Sequence, residues 1–172
     1  MQLRSFALQR LKAIGICLRE GFYEEALILL YATIDALAWL SLPPEKTNTL
    51  RSDFKQWVET YMLPDSSLGC TSSDLYSARC GLLHSNTAES ELSRGGDASE
   101  IYYSTNDRGG VMINLMANTP QPAKIIGIHE LLRALQSAIE AFENQLVTDS
   151  ALSTLVESRL QHHFLQARSL MR

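Results

Sequence analysis

The sequence predicts an all-α fold, an up-and-down helical bundle with a small β-hairpin inserted around residues 101–116. Apolar residues at helical spacing dominate both halves of the chain, and one predicted helix is apolar nearly all round, as a central helix of a bundle is. Short apolar runs at residues 101–104 and 111–115 flank a glycine-rich turn, which is typical of a hairpin. A length of 172 residues suits one core, so residues 1–172 are predicted to form a single domain.

Four helices are predicted in the first half of the chain from the spacing of apolar residues. The second has no polar face, which is typical of a helix that other helices cover. The fourth begins with a hydroxyl cap, Thr71, followed by the acid Asp74 in its first turn. The predicted ranges are about 3–18, 23–42, 50–62 and 71–84.

The second half is predicted to hold a loop, the hairpin and two further helices. Residues 85–99 are polar and contain glycine, which indicates a loop. Pro120 and Pro122 separate the hairpin from a long amphipathic helix of about residues 126–146. A last helix is expected over about residues 150–170.

Composition excludes several classes of protein. A net charge of −4 argues against a general nucleic-acid coat, although it is compatible with a small basic pocket that binds RNA. Three cysteines without a spaced framework, and an N-terminal segment without the pattern of a signal peptide, favour reduced thiols in the cytosol. The most apolar run, residues 26–42, contains Asp35 and stops at two prolines. We therefore expect a buried helix, no membrane span and a cytoplasmic protein.

The most informative short segment is Arg79-Cys80-Gly81-Leu82-Leu83-His84. An imidazole can move protons near neutral pH and a guanidinium grips phosphate oxygens, so the two suffice for RNA cleavage without a metal. Residues five apart on a regular helix point about 140° from each other, so Arg79 must reach around or the helix must unwind at His84. Gly81 would allow such a distortion, or the close approach of another backbone. The alternative interpretation is a surface arginine and a histidine that caps the helix C-terminus.

Asp35 is the second candidate, since it lies in a helix that should be buried. An unpaired buried carboxylate is costly, so we expect Asp35 to have a partner, and Arg79 is the natural one. Asp35 would then support the Arg79/His84 site or serve only as a polar anchor between helices. Cys80 and His84 share a helical face and Cys70 could approach them, but no fourth ligand is evident. No metal and no other cofactor is expected.

The Arg-x4-His spacing on the late helix of a small α-bundle resembles the HEPN superfamily, the higher eukaryotes and prokaryotes nucleotide-binding domains. The segment Asp74-Leu75-Tyr76-Ser77-Ala78-Arg79-Cys80-Gly81-Leu82-Leu83-His84 is similar to uncharacterised bacterial HEPN-like proteins. So is Ile34-Asp35-Ala36-Leu37-Ala38-Trp39 in the second helix. The likeness covers about residues 1–85.

The resemblance implies a homodimer in which the Arg79/His84 motifs of two protomers face each other across a cleft. It implies metal-independent endoribonuclease activity, with His84 as general base or acid and Arg79 holding the phosphate. The attacking 2′-hydroxyl makes RNA the expected substrate. Proteins of this kind are often toxins or anti-phage effectors, so an antitoxin partner is a further expectation.

One residue departs from the family pattern. Active members usually carry a polar residue directly after the arginine, whereas this chain has Cys80, whose thiol is a weak hydrogen-bonding group. A non-catalytic HEPN-like dimer that binds nucleotides or proteins is therefore the alternative function. Two groups of cations could contact phosphates but are interpreted first as solvated faces: Lys46, Arg51 and Lys55, and Arg159 with its neighbouring histidines.

Overall fold

The chain folds mostly into helices, with one small sheet, in a computed structural model that describes residues 2–64, 66–85, 87–105 and 123–169. The predominance of helix agrees with the fold class predicted from the sequence. The helices are α1 Gln2–Arg19, α2 Tyr23–Leu40, α3 Arg51–Trp57, α4 Ser72–Ser85, α5 Glu91–Arg94, α6 Ile128–Thr148 and α7 Ser150–Ser169, and the strands are β1 Glu100–Ser104 and β2 Ala123–Gly127.

Helix α2 lies at the centre of the helical packing, as its apolar sequence predicts. It contacts α1, α3, α4, α6 and α7. Leu30, Ile34 and Leu37 are completely buried, so α2 contributes side chains to the core on several faces. None of the helices in the described ranges combines the length and the apolarity needed to cross a membrane.

The predicted third helix changes its hydrogen bonding part of the way along. Residues Arg51–Trp57 are α-helical and Val58–Met62 continue as a π-helix. Trp57 is buried there, and its ring lies 6.3 Å from that of Phe142 on α6. The hydroxyl of Tyr61 donates a 2.6 Å hydrogen bond to Oε1 of Gln145. Aromatic packing thus joins this segment to α6.

The sheet differs from the predicted hairpin. Strand β1 pairs in parallel with β2, with Tyr102 opposite Ile125, and the predicted second hairpin strand at residues 111–115 lies outside the described residues. The sheet seen at β1 is therefore parallel and includes a strand, β2, that was not predicted from the sequence. The apolar run Ala123–Gly127 is too short for its periodicity to distinguish a strand from a helix. Parallel strands also need a longer connection than a hairpin does, and residues 105–122 connect β1 to β2.

The sheet is tied to the N-terminus of α4 through Asp74. Thr71 and Asp74 form a reciprocal cap, in which Thr71 N donates to Asp74 Oδ2 at 2.8 Å and Asp74 N donates to Thr71 Oγ1 at 3.1 Å. Lys124 Nζ on β2 lies 2.8 Å from Asp74 Oδ2, and Ser99 N donates to Asp74 Oδ1 at 2.7 Å. Burial raises the pKa of Asp74, but these hydrogen bonds outweigh it and hold the pKa at about 2. The cap predicted at Thr71 is confirmed.

Arg159 on α7 caps the C-terminus of α2 through hydrogen bonds to backbone carbonyl oxygens. Its Nη1 donates to the carbonyl oxygens of Trp39, Leu40 and Leu42 at 2.9, 3.1 and 2.6 Å. The guanidinium carbon also lies 5.3 Å from the centre of the Trp39 ring. The interpretation of Arg159 as part of a solvated face is wrong, because the guanidinium binds carbonyl oxygens at the end of α2 and just beyond it.

Candidate functional site

Three predicted site residues meet where α4 crosses α2. Arg79 Nε donates a 2.8 Å hydrogen bond to Asp35 Oδ2, so the expected pairing of these two side chains is confirmed. Arg79 Nη1 lies 3.3 Å from His84 Nε2. Helix α4 continues to Ser85, so His84 is still in its last turn. The long arginine side chain therefore bridges the angular separation, and the helix does not unwind before His84.

The contact between Arg79 and His84 defines the state of the imidazole. A guanidinium has only donors, so His84 Nε2 must be the acceptor. A hydrogen bond in this direction requires the tautomer of His84 that has its hydrogen on Nδ1. A distance of 3.3 Å is at the long end for a hydrogen bond. The lone pair of Nε2 is therefore directed at a permanent positive charge, and it can take a proton from a substrate only when Arg79 turns to another acceptor.

The Arg79–Asp35 ion pair is partly buried, with 23% of the arginine side chain and 24% of the aspartate side chain exposed. Burial raises the pKa of Asp35, although the charge and hydrogen bond of Arg79 act in the opposite direction. Burial disfavours the charge on Arg79, but the Asp35 carboxylate more than offsets it and the pKa of Arg79 is raised. Arg79 therefore stays cationic while one of its donors is held in place.

A cleft of about 510 Å³ opens beside His84, a size within the range of small-molecule sites, roughly 300–1,000 Å³. One wall is the face of α4 that carries Tyr76, Cys80 and His84, and Arg51 reaches in from α3. The opposite wall is formed by residues 89–92 and Arg94. His84 itself is exposed, so a ligand in this cleft would reach the imidazole without any opening of the fold.

Gly81 allows the chain to form that opposite wall. A Cβ atom at position 81 would lie 2.6 Å from Thr87 O and 2.7 Å from Glu89 O, distances that real side chains do not adopt. The carbonyl of Gly81 also accepts a 3.2 Å hydrogen bond from Thr87 N. Of the two uses predicted for this glycine, the structure has the close backbone approach, made by the segment that follows α4 in the same chain.

Cys80 occupies the position after the arginine and lines the same cleft. Its sulfur lies 4.0 Å from Arg79 Nη1, and Tyr76, one helical turn earlier, is its neighbour in the cleft wall. Burial and the neighbouring Cys80 raise the pKa of the Tyr76 hydroxyl. The thiol is therefore part of the cleft wall, in contact with the candidate phosphate-binding arginine.

A second cleft of about 340 Å³ adjoins the first. Its walls include Asp35 and Trp39 from α2, and Arg79 from α4. Tyr76 lines both clefts. The Arg79 side chain thus stands between two adjoining depressions on the surface, one of which carries His84.

Sequence reasoning missed the roles of Tyr76 and Arg51 in building the site. Tyr76 is three residues before Arg79 and four before Cys80, so helical spacing could have placed it on their face. Arg51 is different, because only the packing of α3 against α4 brings it to the cleft. Lys46 and Arg51, which were predicted to share one solvated face, have different partners. Lys46 Nζ pairs with Asp53 Oδ1 at 2.6 Å, whereas the Arg51 guanidinium carbon lies 5.8 Å from the centre of the Tyr76 ring.

Within the ranges that the structure describes, no group of three or more His, Cys, Asp or Glu side chains is arranged to hold a metal ion. Cys70, the further thiol considered with Cys80 and His84, has Asp74 and Lys124 as charged neighbours. Burial raises the pKa of the Cys70 thiol to about 11. Cys70 is therefore a protonated, poorly nucleophilic thiol near neutral pH.

Comparison of the chain with known protein families, with curated proteins and with solved structures finds no match. The resemblance to the HEPN superfamily thus rests on the residues quoted for it. What the site can do is argued below from its own geometry.

Proposed function

We propose that the protein is a metal-independent endoribonuclease of the HEPN type, with Arg79 and His84 as its catalytic residues and Asp35 in support. The observation that carries this proposal is the distance of 3.3 Å between His84 Nε2 and Arg79 Nη1. A neutral imidazole and a fixed cation at this separation are the two groups needed for proton transfer beside a phosphate.

His84 is suited to act as general base on a ribose 2′-hydroxyl. Its Nε2 takes the hydroxyl proton, the 2′-oxygen attacks the adjacent phosphorus, and the bond from phosphorus to the 5′-oxygen breaks. The products are a 2′,3′-cyclic phosphate and a 5′-hydroxyl, the latter formed when an imidazolium returns a proton to the leaving oxygen. DNA has no 2′-hydroxyl, so this chemistry requires RNA.

Arg79 is suited to bind the phosphate and to stabilise the negative charge that develops on it. Asp35 accepts the Nε donor at 2.8 Å, so Nη2 is available to a phosphate oxygen, and so is Nη1 when a phosphate replaces His84 as its acceptor. Asp35 is thus a positioning residue, since it touches the arginine rather than the reacting atoms. Cys80 adds a thiol to the wall of the cleft and no strong donor or acceptor.

The proposal includes a homodimer in which two such sites face each other, with His84 of the second protomer, in its protonated imidazolium form, as the source of the proton for the leaving oxygen. It also includes a biological role as a toxin or phage-defence effector with an antitoxin partner. Expression of the wild-type chain should then arrest the growth of a host cell, and expression of the His84→Ala chain should not.

The direct test is incubation of purified protein with single-stranded and structured RNA in EDTA, followed by analysis of the product ends. Wild type should yield 2′,3′-cyclic phosphates and His84→Ala should yield none. His129→Ala is the matched control, since His129 is an exposed histidine on α6 and its removal should leave cleavage unchanged. Equal cleavage by wild type and His84→Ala would refute the role of His84.

The second candidate function is a non-catalytic HEPN-like dimer that binds nucleotides or proteins. Cys80 favours it, because the sulfur occupies the place beside Arg79 where active relatives of this type carry a polar group. This function predicts dimers by light scattering and binding without turnover on any RNA. Cleavage that depends on His84 would exclude it.

A further inference from the structure

Arg51 is a cation of the site that forms no ion pair with any acid in the described part of the chain. Arg51 is an exposed residue that lines the cleft beside His84. Its guanidinium contacts the Tyr76 ring. Other cations in this region are paired: Arg79 with Asp35, and Arg94 with Glu89 at 3.6 Å.

The stability of α3 does not explain why an arginine occupies position 51. Arg51 is the first residue of α3, where a positive charge interacts unfavourably with the helix dipole. Its contact with Tyr76 is an exposed cation–π contact, worth about 0.5–1 kcal/mol. An exposed cation that lines a cleft beside an imidazole is better explained by an anionic ligand.

We propose that the cleft beside His84 binds one nucleotide of a single-stranded RNA and that Arg51 binds the phosphate next to the one held by Arg79. This inference rests on the proposed function, because it takes Arg79 as the residue that binds the scissile phosphate. It adds a second phosphate-binding residue and a place for the nucleotide between the two phosphates.

The spacing of the two arginines fits neighbouring phosphates of one strand. Their guanidinium carbons lie 5.8 Å and 6.0 Å from the centre of the same Tyr76 ring. The two cations are therefore no more than about 12 Å apart, close enough for the phosphates of one strand to contact both of them. The cleft of about 510 Å³ beside them has room for the nucleotide.

The charges of the cleft also set the orientation of the nucleotide. Arg51 lies on the wall formed by α3 and α4. The opposite wall carries Glu89, Glu91 and Arg94, and because Arg94 pairs with Glu89 this wall keeps a net negative charge. The carboxylates repel phosphate, so the backbone of the RNA follows the arginine wall. The base then points toward residues 89–92, where Leu92 offers an apolar contact.

The test measures binding of a single-stranded 2′-O-methyl RNA by fluorescence anisotropy over a series of salt concentrations. The modified strand has no free 2′-hydroxyl and is not cleaved, so binding is separated from catalysis. Each phosphate contact contributes about 0.7 to the slope of log K against log salt for a single strand. Arg51→Gln should lower the magnitude of the slope by about this amount and weaken binding several-fold at low salt.

Arg133→Gln is the matched control, because Arg133 is an exposed arginine on α6 outside the cleft. It should keep the wild-type slope, and Arg51→Lys, which retains the charge, should keep it as well. Circular dichroism of all variants confirms that they fold. Equal slopes for Arg51→Gln and Arg133→Gln would overturn the inference, as would the absence of any binding by wild type.

The two proposals fail in different ways. If the wild-type chain cleaves RNA in EDTA and Arg51→Gln binds with an unchanged slope, the role of Arg51 is wrong and the ribonuclease stands. If Arg51→Gln lowers the slope while no RNA is cleaved, the nucleotide cleft stands and the catalytic function is wrong.

Discussion

Arg79 on α4 donates through Nε to Asp35 on α2 at 2.8 Å and through Nη1 to His84 at 3.3 Å. One guanidinium thus joins the central helix to the candidate general base. The position of the Arg79 guanidinium depends on both Asp35 and His84. Replacement of either residue should therefore change the contact that Arg79 makes with the other.

Replacement of Asp35 should affect both stability and the proposed activity. Asp35→Ala leaves Arg79 partly buried without its acceptor, which should lower the free energy of unfolding by about 1 kcal/mol, since the pair is partly solvated. RNA cleavage should fall at least tenfold because the guanidinium loses its orientation. Urea denaturation and the EDTA cleavage assay measure the two effects.

The control for Asp35 is Glu25→Ala, which removes an exposed acid from the same helix. It should change neither stability nor cleavage appreciably. Full cleavage by a folded Asp35→Ala protein would show that Asp35 is only a structural anchor.

Gly81→Ala should destabilise the protein, whereas replacement of a helical glycine by alanine where space is open should stabilise it. The new methyl group would meet the carbonyl oxygens of Thr87 and Glu89 at under 3 Å, and such overpacking typically costs about 1–3 kcal/mol. That cost exceeds the gain of about 1 kcal/mol in helix propensity from glycine to alanine. Thermal denaturation should show a lower midpoint.

Gly15→Ala in α1 provides the comparison for Gly81, because a Cβ there would meet nothing within 4 Å. This variant should be more stable than wild type by up to about 1 kcal/mol. A rise in the melting midpoint of Gly81→Ala similar to that of Gly15→Ala would contradict the close approach of the segment after α4.

Asp74 should contribute to stability in a way that depends on pH. Its pKa is about 2 in the folded protein against an ordinary value of 3.8, so the folded state binds this proton more weakly than the unfolded chain. The stabilisation, about 2 kcal/mol, is therefore complete above pH 4 and is lost as the pH falls toward 2. Urea denaturation of wild type between pH 6 and 2 should show this decline.

Asp74→Asn should remove that part of the pH dependence and lower stability at pH 6. Asp97→Asn, which changes an exposed carboxylate, should leave the decline in place. A wild-type and an Asp74→Asn protein with parallel pH profiles would show that Asp74 is not the group responsible.

Arg159→Ala should be among the more damaging single changes outside the core. It would remove the donor that the partly buried carbonyls of Trp39, Leu40 and Leu42 share, and a hydrogen bond to a charged group contributes about 1.5–3 kcal/mol. We expect a loss of at least 2 kcal/mol by urea denaturation, together with a change in Trp39 fluorescence. Arg133→Ala on α6 should have no comparable effect, and a similar small loss for both arginines would contradict the proposed capping of α2.

The helices could be predicted from the sequence because apolar spacing and capping residues are local features of the chain. Apolar periodicity predicts α2 at Tyr23–Leu40 to within two residues, and the Thr71/Asp74 cap marks the beginning of α4. The pairing of Asp35 with Arg79 followed from one physical requirement, since a carboxylate in an apolar helix needs a partner.

The sheet and the walls of the clefts depend on contacts between distant residues. The parallel pairing of β1 with β2 places Glu100 opposite Ala123, and no local pattern in the sequence carries that information. Arg51 and Arg159 both belong to predicted surface clusters, yet one lines a cleft and the other caps a helix. Sequence thus specified which segments are helical and which residues have the chemistry for a site. Tertiary structure decided which cations are neutralised, because that depends on the acids and carbonyls that packing brings within hydrogen-bond distance.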